Sequence, residues 1–250
     1  IVFRTPCKSR TNKIFRIFGG VTILLPVGRF YGVARDFVLR PIRLFSIFVP
    51  MKNIVFDLGG VLFARDKSKC TPELLEFFSF LRAPRMPLFW EEYDRGTSTL
   101  EEVTATISGM TGRPVETCAA VLRLAVDLQE PVKPTERLVG DLKAAGYRLY
   151  VLSNMSREFI DFLRRFPVYG LFDGEVVSCE EHTVKPEPRI YEILLERYGL
   201  TPSETLFIDD REMNIEAAAA LGIHGFVFDH RDPDAACDAL RRRLLQSDCI

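Results

Sequence analysis

Asn53-Ile54-Val55-Phe56-Asp57-Leu58-Gly59-Gly60-Val61-Leu62 is the stretch on which the reading of this chain turns. An apolar, β-branched run ends in a single carboxylate, and two glycines follow at once. A buried parallel strand hands one charged residue to the loop at its carboxyl end in this way. Open α/β sheets bind their ligands at such ends. Taken alone, the stretch also fits a strand whose aspartate only holds a tight turn, so the decision passes to the rest of the chain.

Downstream, strand and helix patterns alternate. Thr135–Ala145 reads as a helix stopped by Gly146, Arg148–Leu152 as a strand and Ser156–Arg165 as a helix. Glu175–Ser178, Thr205–Ile208 and Gly225–Phe228 read as strands, with helices over Pro188–Tyr198, Arg211–Leu221 and Pro233–Leu245. Repeated strand–helix units with short links imply a doubly wound, Rossmann-like parallel sheet with helices on both faces.

Between residues 66 and 130 the pattern is helical only. After a polar loop over Phe63–Lys69, Thr71-Pro72-Glu73 supplies a cap, a first-turn proline and an acid, with Leu74, Leu75, Phe77, Phe78 and Leu81 at helical spacing. Leu88–Tyr93, Thr99–Met110 and Pro114–Leu128 continue in short helices. The expected organisation is a core over 51–65 and 131–250 with a helical insertion over 66–130.

Residues 1–50 stand apart. Of 33 basic and 34 acidic residues, nine and one lie there, so residues 51–250 carry 24 basic against 33 acidic. An acidic body argues against a nucleic-acid surface. The apolar pieces Phe18–Val27 and Leu44–Val49 fall short of the roughly 18 to 20 residues that span a bilayer. No small-x-small cleavage site follows them, and Met51 leads directly into the first strand. The basic leader is therefore expected to lie outside the working fold, and any membrane contact would come through it alone. Six cysteines without a CxxC pair or zinc-type spacing are expected to be reduced thiols in a cytoplasmic protein.

Three more polar groups fall at strand or helix ends: Ser153-Asn154, Lys185-Pro186 and Asp209-Asp210. Each has an ordinary use, as a helix cap or a solvated charge. Together with Asp57 they make a chemical set. Clustered carboxylates at apolar strand ends want a cation, and Asp57, Asp209 and Asp210 suit a hard ion such as Mg²⁺. A hydroxyl and a backbone N–H at a helix start hold an anion, and a lysine neutralises it. Carboxylate, Mg²⁺, hydroxyl and lysine are the parts of phosphoryl transfer through an aspartyl-phosphate.

Residues 52–230 resemble the haloacid dehalogenase superfamily, in the branch with a helical cap inserted after the first strand. The likeness rests on four motifs in the family's order: Val55–Leu62, Val151–Asn154, Val184-Lys185-Pro186-Glu187-Pro188 with Ile190-Tyr191, and Phe207–Ala217 with Asn214. The resemblance implies that Asp57 is nucleophile and metal ligand, beside the Gly59 carbonyl, with Asp210 and Asp209 completing the metal site. Asn214 would support the metal or the lysine. Ser153 and the Asn154 backbone would bind phosphoryl oxygens, and Lys185 would balance their charge. Arg95, in a segment like the family's cap, is a candidate substrate reader, while Trp90 and Tyr93 are read as core.

One position departs from the pattern. Most phosphatases of this superfamily carry a second aspartate two residues after the nucleophile as general acid, and here that residue is Gly59. The DLGxV-type sugar-phosphate phosphatases share the glycine, so a Mg²⁺-dependent hydrolase of small phosphorylated metabolites is the leading expectation, as monomer or homodimer. The alternatives are a metal-independent 2-haloacid dehalogenase and a non-catalytic binding protein. Arg65-Asp66, where the chain leaves for the cap, could touch substrate, but the expectation is a solvated ion pair.

Overall fold

The computed structural model describes residues 51–82 and 86–246; the expectation for residues 1–50 falls outside them. The chain runs β1 (Asn53–Phe56), β2 (Phe63–Arg65), α1 (Pro72–Phe77), α2 (Leu88–Arg95), α3 (Leu100–Thr111), α4 (Val115–Asp127) and β3 (Gln129–Pro131). It continues through α5 (Lys133–Ala144), β4 (Arg148–Ser153), α6 (Arg157–Leu163), β5 (Gly174–Val177), α7 (Ser178–Glu181) and α8 (Pro188–Tyr198). The last elements are β6 (Thr205–Asp209), α9 (Glu212–Ala220), β7 (His224–Val227) and α10 (Pro233–Leu245).

Five strands form one parallel sheet in the order β5-β4-β1-β6-β7. Period-2 alternation buries both faces. Ile54 and Phe56 of β1 pack with Leu142 of α5, Ile160 of α6 and Leu240 of α10. Val55 points the other way, onto Tyr191 of α8, Ala218 of α9 and Phe207 of β6. Each fully buried side chain of this size stabilises the fold by about 1.5–3 kcal/mol, so the central strands are rigid supports.

Register places the chemistry. Phe56 lies beside Val151 and Ile208, so Asp57 emerges level with the ends of both neighbouring strands. Connections leave β1 toward β4 on one side and later return to β6 on the other. The switch point therefore falls where Asp57, Ser153 and Asp209 sit. β4 and β6 each run one residue beyond expectation, because Ser153 pairs with Val177 and Asp209 with Val227.

The segment expected to be a polar loop holds a short strand instead. Phe63–Arg65 pairs antiparallel with β3, Phe63 opposite Pro131 and Arg65 opposite Gln129, which satisfies the backbone where the chain leaves for the helical insertion and returns. The helical spacing expected through Leu81 also breaks early. The Phe78 N–H contacts both Leu74 and Glu76 carbonyls, α1 tightens, and a 3₁₀ turn over Ser79–Arg82 follows.

Four helices of the insertion close around Trp90, whose ring lies 5.8 Å from Phe78 and 5.5 Å from Tyr93. Both Trp90 and Tyr93 are buried, as expected. Thr99 and Glu102 form a reciprocal capping box at the start of α3. The insertion meets the sheet domain through the end of α2. Tyr93 Oη donates to Glu158 at 2.6 Å, and Ser178 Oγ donates to the Asp94 carbonyl. Among the described residues no helix is long and apolar enough to cross a membrane.

Gly96 ends α2 at φ +74°, and a Cβ there would stand 2.9 Å from Cys179 Cα. Backbone strain of this kind costs about 1–3 kcal/mol, before the clash with α7 is added. Gly96→Ala is expected to lower the urea midpoint with an unchanged m-value; an unchanged midpoint would show that α2 does not need this close approach.

Candidate active site

Lys185 is the meeting point of three strand ends. Its Nζ lies 2.8 Å from Asp57 Oδ1 and 2.7 Å from Asp209 Oδ2, and donates to the Leu152 carbonyl at 3.0 Å. The loop that carries it is fixed by Asn154, whose amide accepts from Lys185 N at 2.7 Å and donates to Lys185 O at 2.9 Å. The Phe207 ring centroid is 5.3 Å from the ammonium. Burial alone would lower the lysine's pKa, but Asp209 and Asp57 outweigh it and the pKa is raised.

Ser153 Oγ donates to Asp57 Oδ1 at 2.8 Å, the oxygen that Lys185 also touches. Among the described residues nothing bonds Asp57 Oδ2. Burial pushes the Asp57 carboxyl up to about 7, with Lys185 opposing and Asp209 and Asp210 adding to the rise. Asp210 is pushed up to about 6 by burial and then by Asp209. One lysine among three carboxylates leaves an excess of negative charge.

Oxygens of Asp57, Asp209 and Asp210 lie within 4.8 Å of one another. The three differ in what they can still offer. Asp209 is fully buried, and both its oxygens are engaged, Oδ1 by Arg211 N and Oδ2 by Lys185, with Asn214 Nδ2 reaching both. Asp210 lines a cavity together with Asp57 and Gly59. Gly60, at φ +78°, leaves room for it: a Cβ there would fall 2.5 Å from Asp210 Oδ2. This hard-oxygen cradle fits a divalent cation of the Mg²⁺ type. Among the described residues the buried Asn214 Oδ1 beside it has no hydrogen-bond partner.

The cavity, about 710 Å³, has Asp57, Asn154, Lys185 and Asp210 on its sheet side and Glu91 and Asp94 on the side of the insertion. Ser153 and Asp209 lie beneath its surface, fully buried. Asp94 is a residue that the sequence reading passed over. Burial followed by the charge of Asp57 pushes its carboxyl up to about 7, with the nearby Ser156 N–H opposing the rise. The signal was available: with Trp90 and Tyr93 turned into the core, Glu91 and Asp94 share another face one turn apart. His230, an exposed residue, also lines the cavity, with Nδ1 3.4 Å from Asp210 Oδ2.

Arg95 is not brought to this cluster. Its guanidinium forms a fork with Glu187 at 2.9 and 2.7 Å and reaches Glu91 at 2.8 Å, which ties α2 to the start of α8 and holds Glu187 well below the usual carboxylate range. In this arrangement its charge is shared between Glu187 and Glu91, the latter on the wall of the cavity that holds Asp57.

Several known proteins are similar to the chain. A sesquiterpene phosphatase of Aspergillus oryzae is 29% identical over 192 residues, 76% of this chain and 95% of that one. A phosphorylated carbohydrates phosphatase of Thermotoga maritima is 32% identical over 220 residues, 76% and 91% of the two chains. A haloacid dehalogenase family enzyme of Bacteroides thetaiotaomicron, in complex with magnesium and inorganic phosphate, has 28% identity and a TM-score of 0.57, covering 72% of this chain and 95% of that one. The profile of the haloacid dehalogenase-like hydrolases matches residues 51–222, and the chain belongs to that family.

Proposed function

We propose that this protein is a Mg²⁺-dependent phosphatase of small phosphorylated metabolites, sugar phosphates among them, acting through an aspartyl-phosphate on Asp57. The observation that carries the reading is the paired hold of Ser153 and Lys185 on one oxygen of Asp57, with Asp210 in the same cavity. The relatives named above are phosphatases, and the magnesium and phosphate complex has the same fold.

In this reading Asp57 Oδ2 attacks phosphorus while the ester P–O bond breaks. Ser153 and Lys185 keep the carboxylate oriented, and Lys185 balances charge on the transferring group. The Asp57 and Asp210 carboxylates and the Gly59 carbonyl would hold Mg²⁺, which when bound would supply Lewis-acid stabilisation of the phosphoryl oxygens. Asp209 acts by fixing Lys185 and Asn214. With Gly59 unable to donate a proton, Asp94 protonates the leaving oxygen. Its carboxylate then takes a proton from the water that cleaves the aspartyl-phosphate, releasing phosphate. A 2-haloacid dehalogenase, whose halide leaves without a proton, would need neither a general acid at Asp94 for that step nor a metal at Asp210.

Phosphate release from p-nitrophenyl phosphate and a panel of sugar phosphates tests this. Turnover is expected to need Mg²⁺ and to fall by about 10⁴-fold or more in Asp57→Asn; activity that survives chelation or that substitution would sink the proposal.

Asp94 has its own test. Asp94→Asn is expected to lower kcat about 10²–10⁴-fold for alkyl phosphates and far less for p-nitrophenyl phosphate, whose leaving group needs no proton. The donor must be protonated, so alkyl phosphate turnover falls as pH rises through about 7, among Asp57, Lys185 and Glu91, and the variant loses that limb. Equal losses on both esters would make Asp94 a structural residue.

A further inference from the structure

Arg65 closes β2 and lines the same cavity as Asp57. The ion pair expected with its neighbour does not form. Asp66 turns away, accepting from Ser68 N at 3.0 Å and Ser68 Oγ at 2.7 Å and pairing with Lys69 at 3.0 Å. Among the described residues no carboxylate lies within ion-pair distance of Arg65, whereas the comparably covered Arg95, Arg164 and Arg241 each have at least two. Its guanidinium instead sits over the ring of buried Phe78, 4.4 Å from the centroid, and burial lowers its pKa.

A guanidinium stays charged and carries five donors in a planar fork suited to phosphate or carboxylate. Desolvating it without an anion is unfavourable. Its backbone is held on the β2–β3 ladder opposite Gln129. The Gly59–Phe63 bridge sets the distance, because Arg65 lies two residues beyond it, about 7 Å along the strand. The guanidinium lies at Phe78 of the insertion, while Lys185 and Ser153 attend Asp57, so the anion assigned to Arg65 is a second group beside the phosphoryl over Asp57.

We infer that Arg65 selects the substrate by binding a second anionic group, a phosphate or a carboxylate, on the part of the molecule that leaves. This rests on the phosphatase reading and narrows its substrates to doubly anionic metabolites.

Asp57→Asn in the full chain, with Mg²⁺, serves as a non-hydrolysing trap for calorimetric titration. The probes are α-glucose 1,6-bisphosphate against α-glucose 1-phosphate, and 3-phosphoglycerate against glycerol 3-phosphate. One doubly anionic member is expected to bind roughly 10–100-fold tighter than its partner, the worth of a charge-assisted contact, and the pair that shows the gap identifies phosphate or carboxylate. Adding Arg65→Gln should shrink the gap to threefold or less, with the thermal midpoint equal or higher because an unpartnered charge is gone. Equal affinities within both pairs, or a gap that survives Arg65→Gln, would overturn the inference. So would a midpoint several degrees lower with both members weakened alike, which assigns Arg65 to holding Phe78. Failure of the phosphatase reading shows separately, as absence of Asp57-dependent phosphate release from p-nitrophenyl phosphate, and the binding ratios are read in either case.

Discussion

One buried ammonium holds the site together. Lys185 touches carboxylates from the ends of two adjacent strands, Asp57 and Asp209, at 2.8 and 2.7 Å. Removing it would leave two buried carboxylates without their shared partner, and breaking a buried pair of this kind costs about 3–5 kcal/mol. The lysine does not complete the neutralisation, because Asp210 adds a third negative charge within 4.8 Å. The deficit is what suits the place to a divalent cation and then to a phosphoryl group. Asn154 is tied to the same constraint: its side chain is spent on the Lys185 backbone rather than on a ligand.

The sheet and the insertion divide the work. Parallel strands with both faces covered place charge at their carboxyl ends with little freedom, since each end is set by ladder pairing on both sides. The insertion brings the opposite wall: Glu91 and Asp94 from α2, with Arg65 from the strand that leads into it. Its seating depends on three successive residues, Tyr93, Asp94 and Arg95, each bound to a different part of the sheet domain. The Arg95 guanidinium is taken up by Glu187 in that seating, whereas Asp94 is held through its backbone carbonyl and keeps its carboxyl in the cavity.

The parts legible in the sequence are those fixed by local pattern. The Asn53–Phe56 run, the ends of α8 and α10, and the positions of Asp57, Ser153, Lys185 and Asp209 at element ends follow from alternation, helix caps and glycine stops. What was not legible depends on partners far along the chain. Glu187 lies 92 residues from Arg95, and nothing near Arg95 announces it. β2 and β3 have three residues each, too few for a period to show, and exist because each supplies the other's hydrogen bonds. The divergence of Arg65 from Asp66 is of the same kind. Adjacent opposite charges suggest a pair, but the strand ends at Arg65 and Asp66, in the turn that follows, finds Ser68 and Lys69 first.

Ser153 and Lys185 share one oxygen of Asp57, and the asymmetry has a stereochemical consequence. A free carboxylate offers two equivalent oxygens and turns about its Cβ–Cγ bond; this one turns only by losing both contacts together. In the proposed reaction a single atom on a single line therefore makes the bond to phosphorus. The entering water must use the opposite face, so two successive inversions return phosphorus to its starting handedness, and the rotational entropy of the nucleophile has been surrendered at folding rather than at each turnover.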